Sequence, residues 1–195
     1  MIYQIATKLA IKLSRSEYID KDEIELVTYG MFSVISKIMY GVISFVIGIA
    51  CKCPAESICF YLSFLYLKKY AGGIHAKTEF RCFLLSVSSI TVSILMITFS
   101  KKFISTEITV FMLFIISCVL IICLSPVPSK ERMLDENECI RYNRISKCRV
   151  FSVIVVSLLM CIFQIKYVCL SIKVATILVG TLLTMGKMRY RKTAI

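Results

Sequence analysis

The chain has 195 residues, a formal net charge of +12 and 58% apolar residues, with a mean hydropathy of +0.81. A soluble domain of this size fills its core at a lower apolar fraction, so the excess must face lipid and an ordinary soluble domain is excluded. Ten cysteines would suggest a disulfide framework in a small secreted domain, but Cys59, Cys118, Cys123, Cys161 and Cys169 sit inside apolar runs, where cysteine behaves as a small hydrophobe.

In chain order, residues 1–28 lack the uncharged apolar block of a cleavable signal peptide, so the N-terminus is expected to be retained. Ile2, Ile5, Leu9 and Leu13 fall near helical spacing with Lys8 and Lys12 between them. That pattern fits an amphipathic helix in the headgroup plane or a solvated cytoplasmic helix. Apolar runs at 29–50, 83–99, 108–124, 150–165 and 167–186 approach the roughly 20 residues that one hydrocarbon crossing needs. The run 54–67 is shorter, in the range where a re-entrant segment competes with a crossing, though Tyr61 and Tyr66 can anchor it and Lys68 and Lys69 can snorkel. Residues 187–195 form a basic tail. The expected fold is all-α, a polytopic transmembrane helical bundle of about six spans with an N-terminal amphipathic helix, forming one domain over 1–195. Cys51 and Cys53 make a C-x-C pair, but no second pair or nearby histidine completes a metal site, so no metal or other cofactor is expected. Cys139 and Cys148 fall in a basic loop and read as reduced thiols.

Basic residues set the orientation, because cytoplasmic segments carry the Lys and Arg excess. Six spans put Lys8, Lys12, Arg15 and Lys21, the 68–81 cations, the six between Lys130 and Arg149, and the four of the tail on one side. The other side holds Lys52, Lys101, Lys102 and Lys166, while Lys37 and Lys173 fall inside spans. The reading is a multi-pass protein of the cell membrane with both termini cytoplasmic. A re-entrant 54–67 would nearly abolish the bias, so the count favours a crossing there. The cytoplasmic basic face suits anionic lipid or an acidic substrate. Nucleic acid is not expected, since the basic loops lack interleaved aromatics and no binding module is present.

The segment 68–82, KKYAGGIHAKTEFRC, concentrates chemistry-bearing residues. It holds the chain's single histidine, His75, preceded by Gly72 and Gly73 and followed seven residues later by Cys82 at the mouth of an apolar span. A thiol is a nucleophile as thiolate, and imidazole or neighbouring cations favour that form. Lys68, Lys69, Lys77 and Arg81 supply cations, and His75 can act as a base near neutral pH. In one continuous helix, residues seven apart lie roughly 10 Å apart along the axis, too far for direct proton transfer. Either the Gly-Gly pair folds the backbone back, which is the favoured reading, or substrate or water bridges the two groups. Glu79 can orient the imidazole or pair with Lys77 or Arg81. Ser86, one turn beyond Cys82, can bond near the thiol or within its own helix. The alternative for the His–Cys pair is an interfacial histidine and a packing cysteine.

The string KKYAGGIHAKTEFRCFLLS resembles the signature of the accessory gene regulator B family, membrane cysteine endopeptidases that process autoinducing-peptide precursors in Gram-positive quorum sensing. A second match is Leu124-Ser125-Pro126-Val127-Pro128-Ser129-Lys130, similar to the family's proline-containing turn ahead of basic residues. The sequence departs from the pattern at Glu131, Asp135, Glu136 and Glu138, where a more uniformly basic segment is expected. The resemblance implies that His75 and Cys82 are the catalytic pair, with Lys68, Lys69, Gly72, Gly73 and Lys130 as supporting positions, to which Ser86 is added from its place one turn beyond Cys82. It implies a propeptide substrate with an amphipathic helix and an acidic tail, a thioester on Cys82, a cyclic thiolactone or lactone product, and a homodimer. Gly41, Ser44 and Gly48 suit close helix packing, between copies or within one chain. The rival class is a non-enzymatic peptide transporter or exporter, in which the intramembrane Lys37 and Lys173 would matter most.

Overall fold

The computed structural model describes residues 2–16, 20–72, 79–101, 105–126 and 135–193, and every regular element among them is helical. The order is α1 (Ile2–Arg15), a single 3-10 turn (Lys21–Glu23), α2 (Ile24–Ala50), α3 (Pro54–Ala71), α4 (Glu79–Ser100), α5 (Ser105–Leu124), α6 (Glu136–Ile162) and α7 (Lys166–Thr193). Among the described residues, five of these helices, α2 and α4 to α7, are long and apolar enough to cross a membrane. The all-α polytopic bundle is therefore as the sequence pattern implies. Helix α3 is one unbroken helix of 18 residues, about 27 Å long at 1.5 Å per residue. Its apolar part is shorter because Glu56 stands in its first turn and Lys68 and Lys69 in its last.

The chain divides into two compact units, Met1–Ile43 and Ser44–Ile195. The first comprises α1 and α2 as far as Ile43, with the Tyr3 and Phe32 rings edge to face at 5.9 Å. The second is built around α7, which packs against α3, α4, α5 and α6. Half of the apolar window of α7 is buried, against 28% or less for the other candidate spans, so α7 is the central helix of this unit. Helix α3 is its partner, with Phe60, Tyr61, Phe64, Leu67 and Ala71 recurring at helical spacing on the buried face.

Lipid tails are as apolar as leucine, so such helices associate through close packing and interhelical hydrogen bonds, and small residues mark the contacts. A Cβ on Gly180 of α7 would stand 2.9 Å from the Ser117 Cβ of α5. A Cβ on Gly48 of α2 would stand 2.1 Å from the Ser57 Oγ of α3, and Ser44 donates to the Ser57 carbonyl at 3.3 Å. Ser44 and Gly48 thus pack within the chain. Tight turns join consecutive helices: Lys52 (φ 57°) leads into Pro54 at the start of α3, and Gln164 (φ 58°) sits between α6 and α7. Beside the first of these turns, Glu56 pairs with Lys101, whose ammonium also lies 4.6 Å from the Tyr167 ring.

The largest departure from the sequence reading is at α6. Residues 136–149, expected as loop, are helical and continuous with the span, in a helix of 27 residues or about 40 Å, longer than the roughly 30 Å hydrocarbon core. Glu136, Glu138, Arg141, Arg144 and Lys147 include good helix formers, and a search for apolar runs passes over a polar helix. Cys139 and Cys148 therefore stand on a helix, as free thiols.

Candidate functional site

Helix α3 ends where Gly72 adopts φ 83° and ψ −154°, its N–H bonded to the Lys68 carbonyl at 3.4 Å. That backbone region is essentially reserved for glycine, so Gly72 is the residue that lets the chain leave the helix here. His75 and Gly73 belong to 73–78, outside the described residues, as does Lys130. The chain re-enters a helix at Glu79, and Cys82 lies in the first turn of α4, half-buried and free. Helix N-termini present unpaired N–H groups and a positive dipole end.

The last turn of α3 and the first turn of α4 bring Lys68 and Cys82 within electrostatic range. Lys68 follows the apolar run of α3, and burial holds its ammonium pKa below the ordinary 10.5, while a charge on Cys82 opposes that fall. Its Nζ also lies 5.1 Å from the Phe64 ring. Lys69 is exposed, with its Nζ 5.4 Å from the Tyr70 ring. Ser86 is half-buried one turn after Cys82. Of the supporting positions inside the described residues, Lys68 is thus the one whose charge meets the thiol.

A second cluster braces the same end of α3. The Arg149 guanidinium of α6 lies 4.4 Å from the Tyr66 ring and 4.2 Å from the Tyr70 ring, and its Nη1 donates to the Tyr66 carbonyl. Tyr66 and Ser152 share a hydroxyl hydrogen bond of 3.0 Å, and the Tyr70 and Tyr142 rings meet edge to face at 5.3 Å. Sequence reading grouped Arg149 with Arg141, Arg144 and Lys147 as cations of one basic loop. The other three are exposed, whereas Arg149 joins helices. The available signal was Tyr66 and Tyr70 four residues apart on one helix face. The intramembrane Lys173 of α7 is half-buried, 5.4 Å from the Phe111 ring of α5. Lys37 is exposed on α2 and has an interaction partner. Among the described residues no cluster of three His, Cys, Asp or Glu side chains offers a metal site.

A bundle of lipid-facing helices that holds a free thiol at the opening turn of one span, opposite a half-buried lysine, defines a multi-pass membrane protein with a thiol site at one end of its helices. The family model described as Accessory gene regulator B matches residues 6–185, and the chain belongs to that family. Over 136 residues it is 25% identical to a protein of Clostridium perfringens strain SM101 named "Putative AgrB-like protein", covering 68% of this chain and 64% of the relative. A second relative, from strain 13 of the same species and named "Putative AgrB-like protein 2", is 24% identical over the same span and coverage. The match thus spans less than two thirds of the length of these curated relatives. No solved structure matches.

Proposed function

We propose that the chain is a membrane cysteine endopeptidase that removes the C-terminal tail of a quorum-sensing propeptide. The observation that carries this reading is the placement of Cys82 at the start of α4 beside Lys68 at the end of α3, with His75 on the short segment between them. Family membership supports the same role.

In this mechanism His75 takes the Cys82 proton, and the thiolate adds to the carbonyl at the junction of core and tail. Backbone N–H groups in the first turn of α4 offer donors to the oxyanion. Collapse of the adduct breaks the C–N bond, and His75 returns the proton to the departing amine. The core remains as a thioester on Cys82. Attack on that thioester by a cysteine thiol or serine hydroxyl of the propeptide itself frees the Cys82 thiol and closes a thiolactone or lactone. A site at the membrane interface limits competing hydrolysis. The basic residues assigned to the cytoplasmic face, including Lys69, Arg81, Arg141 and Arg144, attract an acidic tail there.

The test follows tail release from a propeptide carrying an amphipathic helix and an acidic tail, with wild type, Cys82→Ala, Cys82→Ser and His75→Ala. Loss of cleavage in Cys82→Ala and His75→Ala, with wild-type protein trapped as a thioester at Cys82, is expected. Full processing by Cys82→Ala overturns the mechanism. Loss of peptide export in Lys37→Ala or Lys173→Ala with cleavage untouched would instead favour transport.

A further inference from the structure

Helix α1 carries an array that the peptidase mechanism does not use. On a helical wheel Lys8, Lys12 and Arg15 fall within about 60° of one another, and Ala6 and Ala10 lie on the opposite face. Those two alanines are fully buried. The three cations, with Ile11, line a shallow surface depression on this one helix. No carboxylate pairs with any of them among the described residues, although Asp20, Asp22, Glu23 and Glu25 follow closely in sequence. Exposed Ile5, Leu9 and Ile11 flank the basic stripe.

The position of α1 relative to α2 gives the stripe its meaning. The Tyr3–Phe32 ring contact holds α1 against the opening turns of a membrane-spanning helix. Beside it, Leu9 of α1 with Val27, Gly30, Met31, Val34 and Ile35 of α2 lines a cleft of about 450 Å³, built from residues that carry no charged side chain. Within this unit, one helix therefore offers three adjacent cations, unpaired among the described residues, and an adjoining apolar groove at the end of a span. Anionic headgroups carry the charge that complements the first, and acyl chains match the second.

We propose that α1 and the opening turns of α2 bind an anionic glycerophospholipid, with its headgroup phosphate on Lys8, Lys12 and Arg15 and an acyl chain along Leu9 and the α2 groove. The site fixes α1 in the headgroup plane and selects lipid by charge. It stands independently of the peptidase reading.

The chain has no tryptophan, so Ile5→Trp, at an exposed position beside the stripe, gives the full-length protein a single reporter. The protein is reconstituted in nanodiscs in which a fixed fraction of the lipid is brominated phosphatidylglycerol or brominated phosphatidylcholine, and tryptophan quenching is compared. Enrichment of the anionic lipid by at least about fivefold is expected, the preference that a single surface cation supplies. It should vanish in 0.5 M salt and in a Lys8→Gln/Lys12→Gln/Arg15→Gln background, and persist with Lys8→Arg/Lys12→Arg. Equal quenching by the two lipids, quenching by neither, or a preference that survives the triple substitution overturns the proposal. The salt arm needs no substitution in the stripe, so misfolding of the triple variant leaves the test standing.

Discussion

Arg149 of α6 is held over the face of Tyr70, 4.2 Å from the ring, and Tyr70 is the last residue but one of α3, in the turn that leads into Gly72. The same guanidinium stacks on Tyr66 and donates to its carbonyl, so two turns of α3 are fastened to α6 by one side chain. A planar fork that stacks and donates at once is a role that lysine fills poorly. Partly exposed cation–π contacts contribute about 0.5–1 kcal/mol each and a charged hydrogen bond about 1.5–3 kcal/mol. Arg149→Met should therefore lower thermal stability in detergent and slow tail release about tenfold or more, since small misplacements near a reacting centre have effects of that order. Arg149→Lys should recover part of the stability and little of the rate, and Tyr70→Phe should behave as wild type in both assays.

The α3–α6 brace shows where sequence reading succeeds and where it stops. Apolar period and length located the lipid-facing parts of α2, α4, α5 and α7, because such helices announce themselves by composition, but missed the polar ends, as where α7 continues to Thr193 through what was read as a tail from 187. The polar first half of α6 has no such signature, so Arg149 was read as a loop cation. Gly72 was legible as a backbone device, since an unusual φ is what glycine permits. Lys68, with Lys69, Lys77 and Arg81, was legible as a cation for the Cys82 thiol, but that it rather than Lys69 meets the thiol was not, because this depends on how the two helices on either side of 73–78 are placed.

Gly72 offers a direct test of the helix exit. Its φ of 83° with ψ −154° lies in a region that non-glycine residues occupy at a cost of about 1–3 kcal/mol. Gly72→Ala should lower stability by that amount and reduce tail release well beyond what the stability loss explains, as the chain between α3 and α4 takes a new path. Thermal unfolding and single-turnover cleavage on the same preparation separate the two effects. Unchanged cleavage would mean that the exit geometry does not serve the site.

Gly48 tests the packing of α2 on α3. An added Cβ would meet the Ser57 side chain at 2.1 and 2.6 Å, so Gly48→Ala forces the helices apart or the serine out of place. Overpacking of this kind costs about 1–3 kcal/mol. Ser57→Gly removes both clashing atoms, and the double variant Gly48→Ala/Ser57→Gly should be more stable than Gly48→Ala alone. Additive losses would place the contact elsewhere.

Lys68 gives a pH dependence with a definite sign. Its folded-state pKa lies below the ordinary 10.5 because burial disfavours the ammonium, and a charge on Cys82 only partly offsets this. Between the lowered pKa and 10.5 the unfolded chain binds more protons at this site than the folded chain, so the site's contribution to stability rises with pH across that alkaline window. Below the lowered pKa both states are protonated and the contribution is constant and unfavourable. Lys68→Met lacks the penalty, so the variant should be the more stable of the two near neutral pH. Its advantage should shrink as pH climbs toward 10.5. The same substitution removes the cation that faces the thiol, and near neutral pH it should slow alkylation of Cys82, because a neighbouring positive charge favours thiolate. Opposite effects on stability and thiol reactivity from one substitution would separate an electrostatic role for Lys68 from simple packing. Parallel losses in both would assign it to packing alone.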